Sequence, residues 1–320
     1  QAYHSLFDLH PLLFFDEIQN IEGWEHFARR LANQKYNIYI TGSNAKMLSR
    51  EIATTLGGRF WNKDVYPYSF AEYLNARNII LSKNWIYGKQ AAEVSKAFND
   101  YFLYGGFPEL TDVIAKRVWL NDIYSKIFFS DLIVRNKVRN EEALGLLVRR
   151  LAENVKQPVS YTRLANLISS IGIKISKATV IEFIRYLKES CLIFPIENYA
   201  AKFAERNSNM KHYFIDNGLL SIFLLDGNTS LLENIVAIHL YKRYGAQLYF
   251  YNQNIEVDFV IPEAKTAIQV SYSLMDETTC RREVEGLIKL NRVFPMDNMC
   301  IITRDEERII THESGVSIHV

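Results

Sequence analysis

The feature that most constrains the fold is a short apolar run near the start of the chain that is followed by two acidic residues. The run is Leu12–Phe15, and Asp16 and Glu17 follow it directly. Four consecutive apolar residues are typical of a strand that is buried on both faces, as in parallel sheets. A helical pattern over Trp24–Ala32 and a second apolar run over Asn37–Ile40 come next. This alternation predicts a parallel α/β sheet with short connections.

The acidic pair suits the hydrolysis of a phosphoanhydride. That reaction needs a hard cation on the phosphate oxygens and a group that positions the attacking water. Ligands of open α/β sheets bind at the carboxyl ends of strands, where Asp16 and Glu17 fall. Asp16 could therefore hold Mg²⁺ and Glu17 could orient the water. The alternative is that both carboxylates are solvated and only end the strand.

Two further segments favour a nucleotide site. The second predicted strand ends at Thr41, Gly42, Ser43 and Asn44, whose small polar groups could sense a γ-phosphate. A predicted helix over Ala45–Leu56 stops at a Gly-Gly pair, and Arg59 follows it. Its guanidinium could reach a phosphate in the same subunit or in a neighbouring one, as arginine fingers do.

The middle of the chain is predicted to be helical. Ser69 with Glu72 indicates a capping box, and amphipathic helices are predicted over residues 91–103 and 117–135, separated by the turn Gly105–Glu109. The composition adds few constraints, since a net charge of +1 gives no overall attraction to nucleic acid or anionic lipid. With three widely spaced cysteines and no apolar run near the ~20 residues of a membrane span, we expect a cytoplasmic protein that does not enter a membrane.

Residues 141–199 have the element order of a winged helix: helix, turn, helix and β-ribbon. The second helix of the pair, Ser176–Lys188, is the candidate recognition helix. DNA contact would require its basic residues to be exposed. These residues, in or beside the helix, are Lys174, Lys177, Arg185 and Lys188. The alternatives are a solvated helix face in a connecting module and a docking face for a protein partner. Strand patterns return after Ala200 and predict a second α/β domain.

In its motifs the chain resembles the bacterial and archaeal AAA-type ATPases that carry a C-terminal domain resembling restriction endonucleases. The motifs lie in order along nearly the whole chain and are Phe15–Asn20, Gly23–Glu25, Ile40–Asn44, Leu48–Thr54, Gly58-Arg59, Tyr66–Phe70 and Gly105–Glu109. The resemblance implies an ATPase part over residues 1–76, a helical lid or linker over 77–140, the winged-helix-like module over 141–200 and a restriction-endonuclease-like α/β domain over 201–320.

The resemblance also implies roles for single residues. Asp16 and Glu17 would be the Walker B pair, Ser43 or Asn44 the sensor 1 position, and Arg59 the finger or sensor arginine. ATP and Mg²⁺ would be the cofactors, and oligomers are favoured.

The sequence departs from this family in its phosphate loop. No segment has the pattern G-x-x-x-x-G-K-[ST], and only eleven residues precede Leu12. Without the backbone amides and the lysine of that loop, the β- and γ-phosphates have no cradle. We therefore expect no appreciable ATP hydrolysis by this chain, whose phosphate loop was either removed or never present.

The C-terminal domain resembles a nuclease fold with an incomplete site. Restriction-type nucleases use a helix Glu, a strand-end Asp, and a carboxylate and a lysine on the next strand. Here Glu233 and Asp258 fill the first two positions, whereas Gln269 and Ser271 stand where the carboxylate and the lysine are required. We expect a scaffold or binding domain without nuclease activity, in which Asp258 pairs with a nearby cation. The candidates for that cation are Lys265, Arg281 and Arg282.

Two functional hypotheses follow. The first is an AAA-family ATPase that couples hydrolysis to a DNA- or protein-binding C-terminal region. The second is a non-catalytic DNA- or protein-binding module built on a nuclease-like scaffold.

Overall fold

The computed structural model of the chain describes residues 11–43, 54–58, 60–202, 206 and 208–320. The chain divides into two compact units. One unit comprises Gln1–Val65 and Arg185–Cys191, and the other comprises Tyr66–Ile184 and Leu192–Val320. Among the described residues, no helix is both long enough and apolar enough to span a membrane.

The first unit contains the predicted strand–helix–strand order. Strand β1 is Leu13–Phe15, helix α1 is Trp24–Asn33 and strand β2 is Ile38–Ile40, with a 3-10 turn at Ile18–Asn20. The two strands are parallel neighbours. The bounds of these elements confirm the predictions to within one residue. The predicted burial of the first strand on both faces is wrong, because Phe14 on β1 is 70% exposed and Leu12 just before it is 56% exposed. The predicted helix Ala45–Leu56 lies outside the described residues except for its last three positions, which are helical.

The core of this unit lies between the two strands and α1. Ile18, Trp24 and Ala28 are buried there, and Phe15 and Ile40 pack against them. Burying a side chain such as that of Ile18 contributes about 1.5–3 kcal/mol to the free energy of folding. This packing therefore fixes the strand ends that carry the acidic pair.

Further helices lie after Tyr66. They are α2 Phe70–Ala76, α3 Lys89–Tyr104, α4 Lys116–Lys126, α5 Glu141–Glu153, α6 Tyr161–Ser169, α7 Lys177–Glu189, α8 Asn217–Ser221, α9 Asn228–Tyr244 and α10 Glu277–Val293. Helix α4 continues as a π-helical segment, Ile127–Val134, and 3-10 turns occur at Pro108–Thr111 and Gly245–Gln247.

The second unit is built around one large mixed sheet. Its strands are β3 Val159–Ser160, β4 Ile193–Asn198, β5 Asn209–Phe214, β6 Tyr249–Asn252, β7 Glu256–Ile261, β8 Thr266–Val270, β9 Asn298–Ile302, β10 Ile309–Thr311 and β11 Ser317–His319. They are ordered β10-β11-β9-β8-β7-β6-β4-β5-β3. The α/β class predicted for the chain is thus confirmed, and this sheet contains strands from both sides of the predicted boundary at residue 200.

The pairing within the sheet joins an antiparallel ribbon to a mixed α/β layer. Strand β5 is antiparallel to both β3 and β4, and β4 is parallel to β6. Strands β6, β7 and β8 form an antiparallel meander, and β9 returns parallel to β8. Helix α9 contacts β5 and β8, and α10 contacts β7, β8 and β9. The sequence Met210–Phe214 on β5 is buried throughout, as expected of a strand covered on both faces.

The predicted capping box at Ser69 is confirmed. The Ser69 hydroxyl accepts the backbone N–H of Glu72, and the Glu72 carboxylate accepts the backbone N–H of Ser69. These N–H and O–H donors also hold the pKa of Glu72 below its usual value. The box precedes α2, which begins at Phe70.

The Gly105-Gly106 pair forms a close backbone joint in the second unit. Gly105 has φ +79°, and a Cβ there would overlap the carboxylate of Asp216. A Cβ on Gly106 would overlap the carbonyl oxygen of Tyr68. The backbone N–H of Gly106 donates to Asp216 Oδ2 at 2.7 Å, and its carbonyl accepts the N–H of Tyr68 at 2.7 Å. Only glycine allows this approach, which explains the residue type at both positions.

Asp216 is the buried acceptor at the centre of this joint. It caps α8, because its Oδ1 accepts the backbone N–H of Gly218 at 2.8 Å. Burial raises the pKa of Asp216 to about 6, although the N–H groups of Gly106, Gly218 and Leu219 oppose that shift. The carboxylate is therefore held in place by three donors at a cost in desolvation.

Candidate functional site

The acidic pair of the first unit lies at the carboxyl end of the two-stranded sheet. The register of β1 and β2 places Phe15 opposite Ile40, and the N–H of Thr41 donates to the carbonyl of Phe15 at 2.9 Å. The next residues of both strands, Asp16 and Thr41, therefore leave the sheet side by side. This is the edge at which ligands of α/β sheets bind.

Hydroxyl groups just after the second strand contact both carboxylates. The Thr41 hydroxyl donates to Asp16 Oδ1, and the Ser43 hydroxyl donates to Glu17 Oε2 at 3.1 Å. Glu17 has a left-handed backbone, with φ 48° and ψ 41°, which is uncommon for a residue with a side chain. Residues in such conformations cluster at functional sites. Asp16 is exposed, so its carboxylate is open to a ligand.

The structure thus brings together four of the residues proposed for the nucleotide site: Asp16, Glu17, Thr41 and Ser43. Asn44 and Arg59, the other two, lie outside the described residues. The four fit a hydrated Mg²⁺, because an exposed carboxylate with a neighbouring hydroxyl offers the oxygen ligands that this ion prefers.

A second polar cluster is buried in the C-terminal sheet. Glu233 lies in the second turn of α9 and Asp258 lies on β7, the two elements expected to carry the nuclease-like half-site. Lys211 on β5 reaches both. Its Nζ lies 3.2 Å from Glu233 Oε1, 2.9 Å from Asp258 Oδ1 and 3.3 Å from Oε1 of Glu256. The Lys211 side chain is 0% exposed.

The cation beside Asp258 was predicted wrongly. Lys265, Arg281 and Arg282 were the candidates, but they pair with Asp297, Glu277 and Glu283 respectively. Lys265 and Arg281 sit next to acidic residues on the exposed surface, where each pairs at little cost in desolvation. Asp258 is only 13% exposed and pairs with the fully buried Lys211 instead.

Gln269 and Ser271 have structural contacts. Gln269 is buried, its Oε1 accepts the backbone N–H of Asp258 at 2.9 Å, and its Nε2 donates to the carbonyl of Glu256 at 3.0 Å. The Ser271 hydroxyl donates to the carbonyl of Ser273 at 2.9 Å. Gln269 therefore ties β8 to β7 through both ends of its amide.

Sequence reasoning missed Lys211, Tyr213 and Glu256. The Tyr213 hydroxyl donates to Glu233 Oε1 at 2.7 Å and is buried with it. Burial, and then the Asp258 carboxylate, raise the pKa of Glu233. Burial lowers the pKa of Lys211, but the Asp258, Glu233 and Glu256 carboxylates outweigh it and raise that pKa, so the ammonium stays charged. A lysine inside the otherwise apolar and aromatic Met210–Phe214 strand was the signal for this ion pair.

The cluster forms one wall of a polar cavity of about 460 Å³. Glu233, Glu256, Asp258 and Gln269 are among the residues that line it, as are Lys156 and Lys289. In the described part of the chain, no group of three or more His, Cys, Asp or Glu side chains is arranged to hold a metal ion.

The basic residues proposed to contact DNA are exposed. Lys174 precedes α7, and Lys177, Arg185 and Lys188 lie on it. Their spacing of eight and three residues places the last three on one helix face. Glu189 reduces the net positive charge of this face, because its carboxylate lies 3.8 Å from the Arg185 guanidinium at helical i,i+4 spacing.

Comparison with known proteins defines the class. Residues 1–74 match the family model described as an AAA domain, and residues 95–230 match a domain of unknown function, DUF8612. The N-terminal part of the chain is thus similar to an AAA domain. A solved structure, the Walker-type ATPase PABY2304 of Pyrococcus abyssi, aligns with 66% of this chain and 62% of its own length, at a TM-score of 0.40 and 14% identity.

Within this class, two relatives show the family. The chain is 34% identical over 306 residues to uncharacterized protein MJ1544 of Methanocaldococcus jannaschii, and this alignment covers 92% of the chain and 69% of the relative. It is 32% identical over 285 residues to an uncharacterized protein of Haemophilus influenzae, and this alignment covers 86% of the chain and 68% of the relative. The chain belongs to the family of these two proteins and spans about two thirds of their length.

Proposed function

We propose that the chain is part of an AAA-type ATPase in which ATP hydrolysis at the Asp16–Glu17 edge is coupled to a DNA- or protein-binding C-terminal region. The observation that carries this proposal is the pair of hydroxyl–carboxylate contacts, Thr41 to Asp16 and Ser43 to Glu17. They set a Walker B-like acidic pair against the end of the next strand, in a segment that matches an AAA domain.

Each residue has a distinct role in this proposal. Asp16 holds hydrated Mg²⁺, which when bound to ATP supplies charge stabilisation to the phosphates. Glu17 orients the attacking water, and Ser43 keeps the Glu17 carboxylate in position through its hydrogen bond. Asn44 and Arg59 are proposed as the sensor and the finger. The phosphate cradle is not among the 320 residues, so we expect no appreciable turnover by this chain.

Steady-state ATP hydrolysis tests the proposal in two forms of the protein. The 320-residue chain is expected to be inactive. A longer form that carries a G-x-x-x-x-G-K-[ST] loop ahead of Leu12 is expected to hydrolyse ATP and to lose at least 100-fold in kcat on Glu17→Gln, the order seen when a water-positioning group is removed. Glu22→Gln, an exposed carboxylate five residues on, is the matched control. Unchanged kcat in the Glu17→Gln protein would refute the role of Glu17. Turnover by the 320-residue chain that Glu17→Gln abolishes would refute the need for the loop.

The second candidate function is a non-catalytic DNA- or protein-binding module on a nuclease-like scaffold. The observation that favours it is the order α5–β3–α6–α7–β4–β5, in which the last two strands form an antiparallel ribbon. This is the order of a winged helix, and α7 presents the basic face of Lys177, Arg185 and Lys188.

Filter binding of duplex DNA at several salt concentrations separates DNA from protein as the partner. If α7 contacts phosphates, replacing Lys177 and Lys188 by Gln should weaken binding to all sequences and reduce the salt slope by about one per lost contact. Lys265→Gln, which removes a surface lysine paired with Asp297, serves as the control. Salt-independent or absent binding by the unmodified chain would exclude the DNA reading and favour a protein partner.

A further inference from the structure

The buried cluster around Lys211 does not fit the Mg²⁺ site of a restriction-type nuclease. A metal ion would need oxygens of Glu233 and Asp258 directed at a common point. The Lys211 Nζ already occupies that point, within 3.2 Å of an oxygen from each. Glu256 adds a third carboxylate oxygen at 3.3 Å.

The other groups expected at a metal site also make hydrogen bonds to the backbone. Both ends of the Gln269 amide bond to the β7 backbone, and the second oxygen of Asp258 accepts the N–H of Val270 at 3.0 Å. Lys211 is fully buried, so its ammonium cannot contact the water or phosphate that a catalytic lysine activates. The geometry therefore excludes a nuclease site with a displaced lysine in this conformation.

We infer that Lys211 is a resident cation that replaces the divalent metal ion of a nuclease-type fold. Its ammonium lies against an oxygen of each of Glu233, Asp258 and Glu256 and offsets part of their negative charge. It thereby allows Glu233 and Asp258 to be largely buried on α9 and β7. Because Lys211 comes from β5, the same contact also ties the antiparallel ribbon to the α9–β7 layer. The inference concerns the second unit alone and is independent of whether the chain hydrolyses ATP.

The charge balance explains why the lysine is needed. The Glu233 and Asp258 carboxylates are 4% and 13% exposed, so little water screens their mutual repulsion, and the half-buried Glu256 adds further negative charge beside them. Removing one partner of a buried ion pair leaves the other charge uncompensated, which is among the most destabilising single changes. A divalent cation is the natural replacement for the lost ammonium, since carboxylate oxygens are its preferred ligands.

The test measures thermal unfolding of the whole chain with and without millimolar Mn²⁺. The unmodified protein should show no Mn²⁺-dependent change in Tm. Lys211→Met should lower Tm by on the order of 10 °C, and Mn²⁺ should restore at least half of that loss. Lys265→Met, which removes an exposed lysine paired with Asp297, should change Tm by no more than about 1–2 °C.

A double variant covers the case in which Lys211→Met does not fold. Adding Glu233→Gln removes a carboxylate together with the ammonium, so the double variant should be folded and closer in Tm to the unmodified protein. Electron paramagnetic resonance of Mn²⁺ gives an independent measurement, with one more bound ion expected in Lys211→Met than in the unmodified chain, because the proposed Asp16 site is common to both proteins. Three results would overturn the inference: Mn²⁺ bound by the unmodified chain at Asp258, a Tm of Lys211→Met that neither Mn²⁺ nor Glu233→Gln raises, or Mg²⁺-dependent DNA cleavage that Asp258→Ala abolishes.

Discussion

The ionisation of Asp216 should make the stability of the protein depend on pH in a defined direction. Burial raises the pKa of this carboxyl from the ordinary 3.8 to about 6 in the folded chain. In the unfolded chain it returns to the ordinary value. The folded state therefore binds more protons between these two values, and stability falls as pH rises through that window.

The magnitude follows from the size of the pKa difference. One pKa unit corresponds to about 1.4 kcal/mol, so a difference of about two corresponds to about 3 kcal/mol. This contribution is fully present below pH 3.8 and is lost once the pH exceeds about 6. Asp216 is 3% exposed, so solvent screening does not reduce the figure much.

The assay is urea unfolding of the unmodified chain and Asp216→Asn at several pH values between 3.5 and 7.5. An asparagine has only one acceptor oxygen, so its NH₂ group would face the N–H of either Gly106 or Gly218 and that hydrogen bond would be lost. The substitution should therefore lower the free energy of unfolding by about 1–3 kcal/mol at neutral pH. The difference in the free energy of unfolding between the two proteins should be about 3 kcal/mol larger at pH 3.5 than at neutral pH, because only the unmodified chain gains stability when residue 216 is protonated. The other titrating groups are common to both proteins and cancel. A difference that stays constant with pH, or grows as pH rises, would refute the reasoning.

Substitutions at three further positions have expected effects on the free energy of unfolding, all measurable by urea titration. Ser69→Ala should cost about 1 kcal/mol through loss of the N-cap, and Ser69→Asp, which keeps the cap, should cost less. Gly106→Ala should cost at least about 2–3 kcal/mol because its Cβ overlaps the Tyr68 carbonyl, and a neutral result would show that this backbone approach is looser than described. Tyr213→Phe should cost about 1–3 kcal/mol by removing a donor from the buried Glu233, and no change would mean that the carboxyl finds another partner.

Periodicity predicted most of the longer elements. The helices predicted over residues 91–103 and 117–135 lie within two residues of α3 and of α4 with its π-helical continuation, and the predicted Ser176–Lys188 helix lies within one residue of α7. The elements that were missed are β3, α8, β10 and β11, each of two to five residues. A segment that short contains at most one or two repeats of its pattern, so the local signal is absent and tertiary pairing decides the structure.

The two sites differ in how much of them could be predicted. Asp16 and Thr41 follow consecutive strands, and parallel pairing places such positions together whatever the rest of the chain does. The contact of Lys211 with Glu233 and Asp258 joins residues 22 and 47 positions apart, and it depends on the ribbon pairing with the C-terminal sheet. From the sequence, cations that lie near Asp258 along the chain were the obvious partners for its charge. Nearness along the chain does not show which side chains stay exposed to water, as those of Lys265 and Arg281 do.

The joint between the Gly105-Gly106 pair and Asp216 has a consequence for how this family can change over time. The two segments are separated by 110 positions, yet neither has room for an independent substitution. A side chain at Gly105 would occupy the space of the Asp216 carboxylate, and a residue larger than Asp at 216 would require the backbone at 105–106 to move away. These positions should therefore co-vary in an alignment of relatives, and a Gly-Gly followed by Asp at that separation would serve as a search pattern for remote members whose overall identity is too low to align.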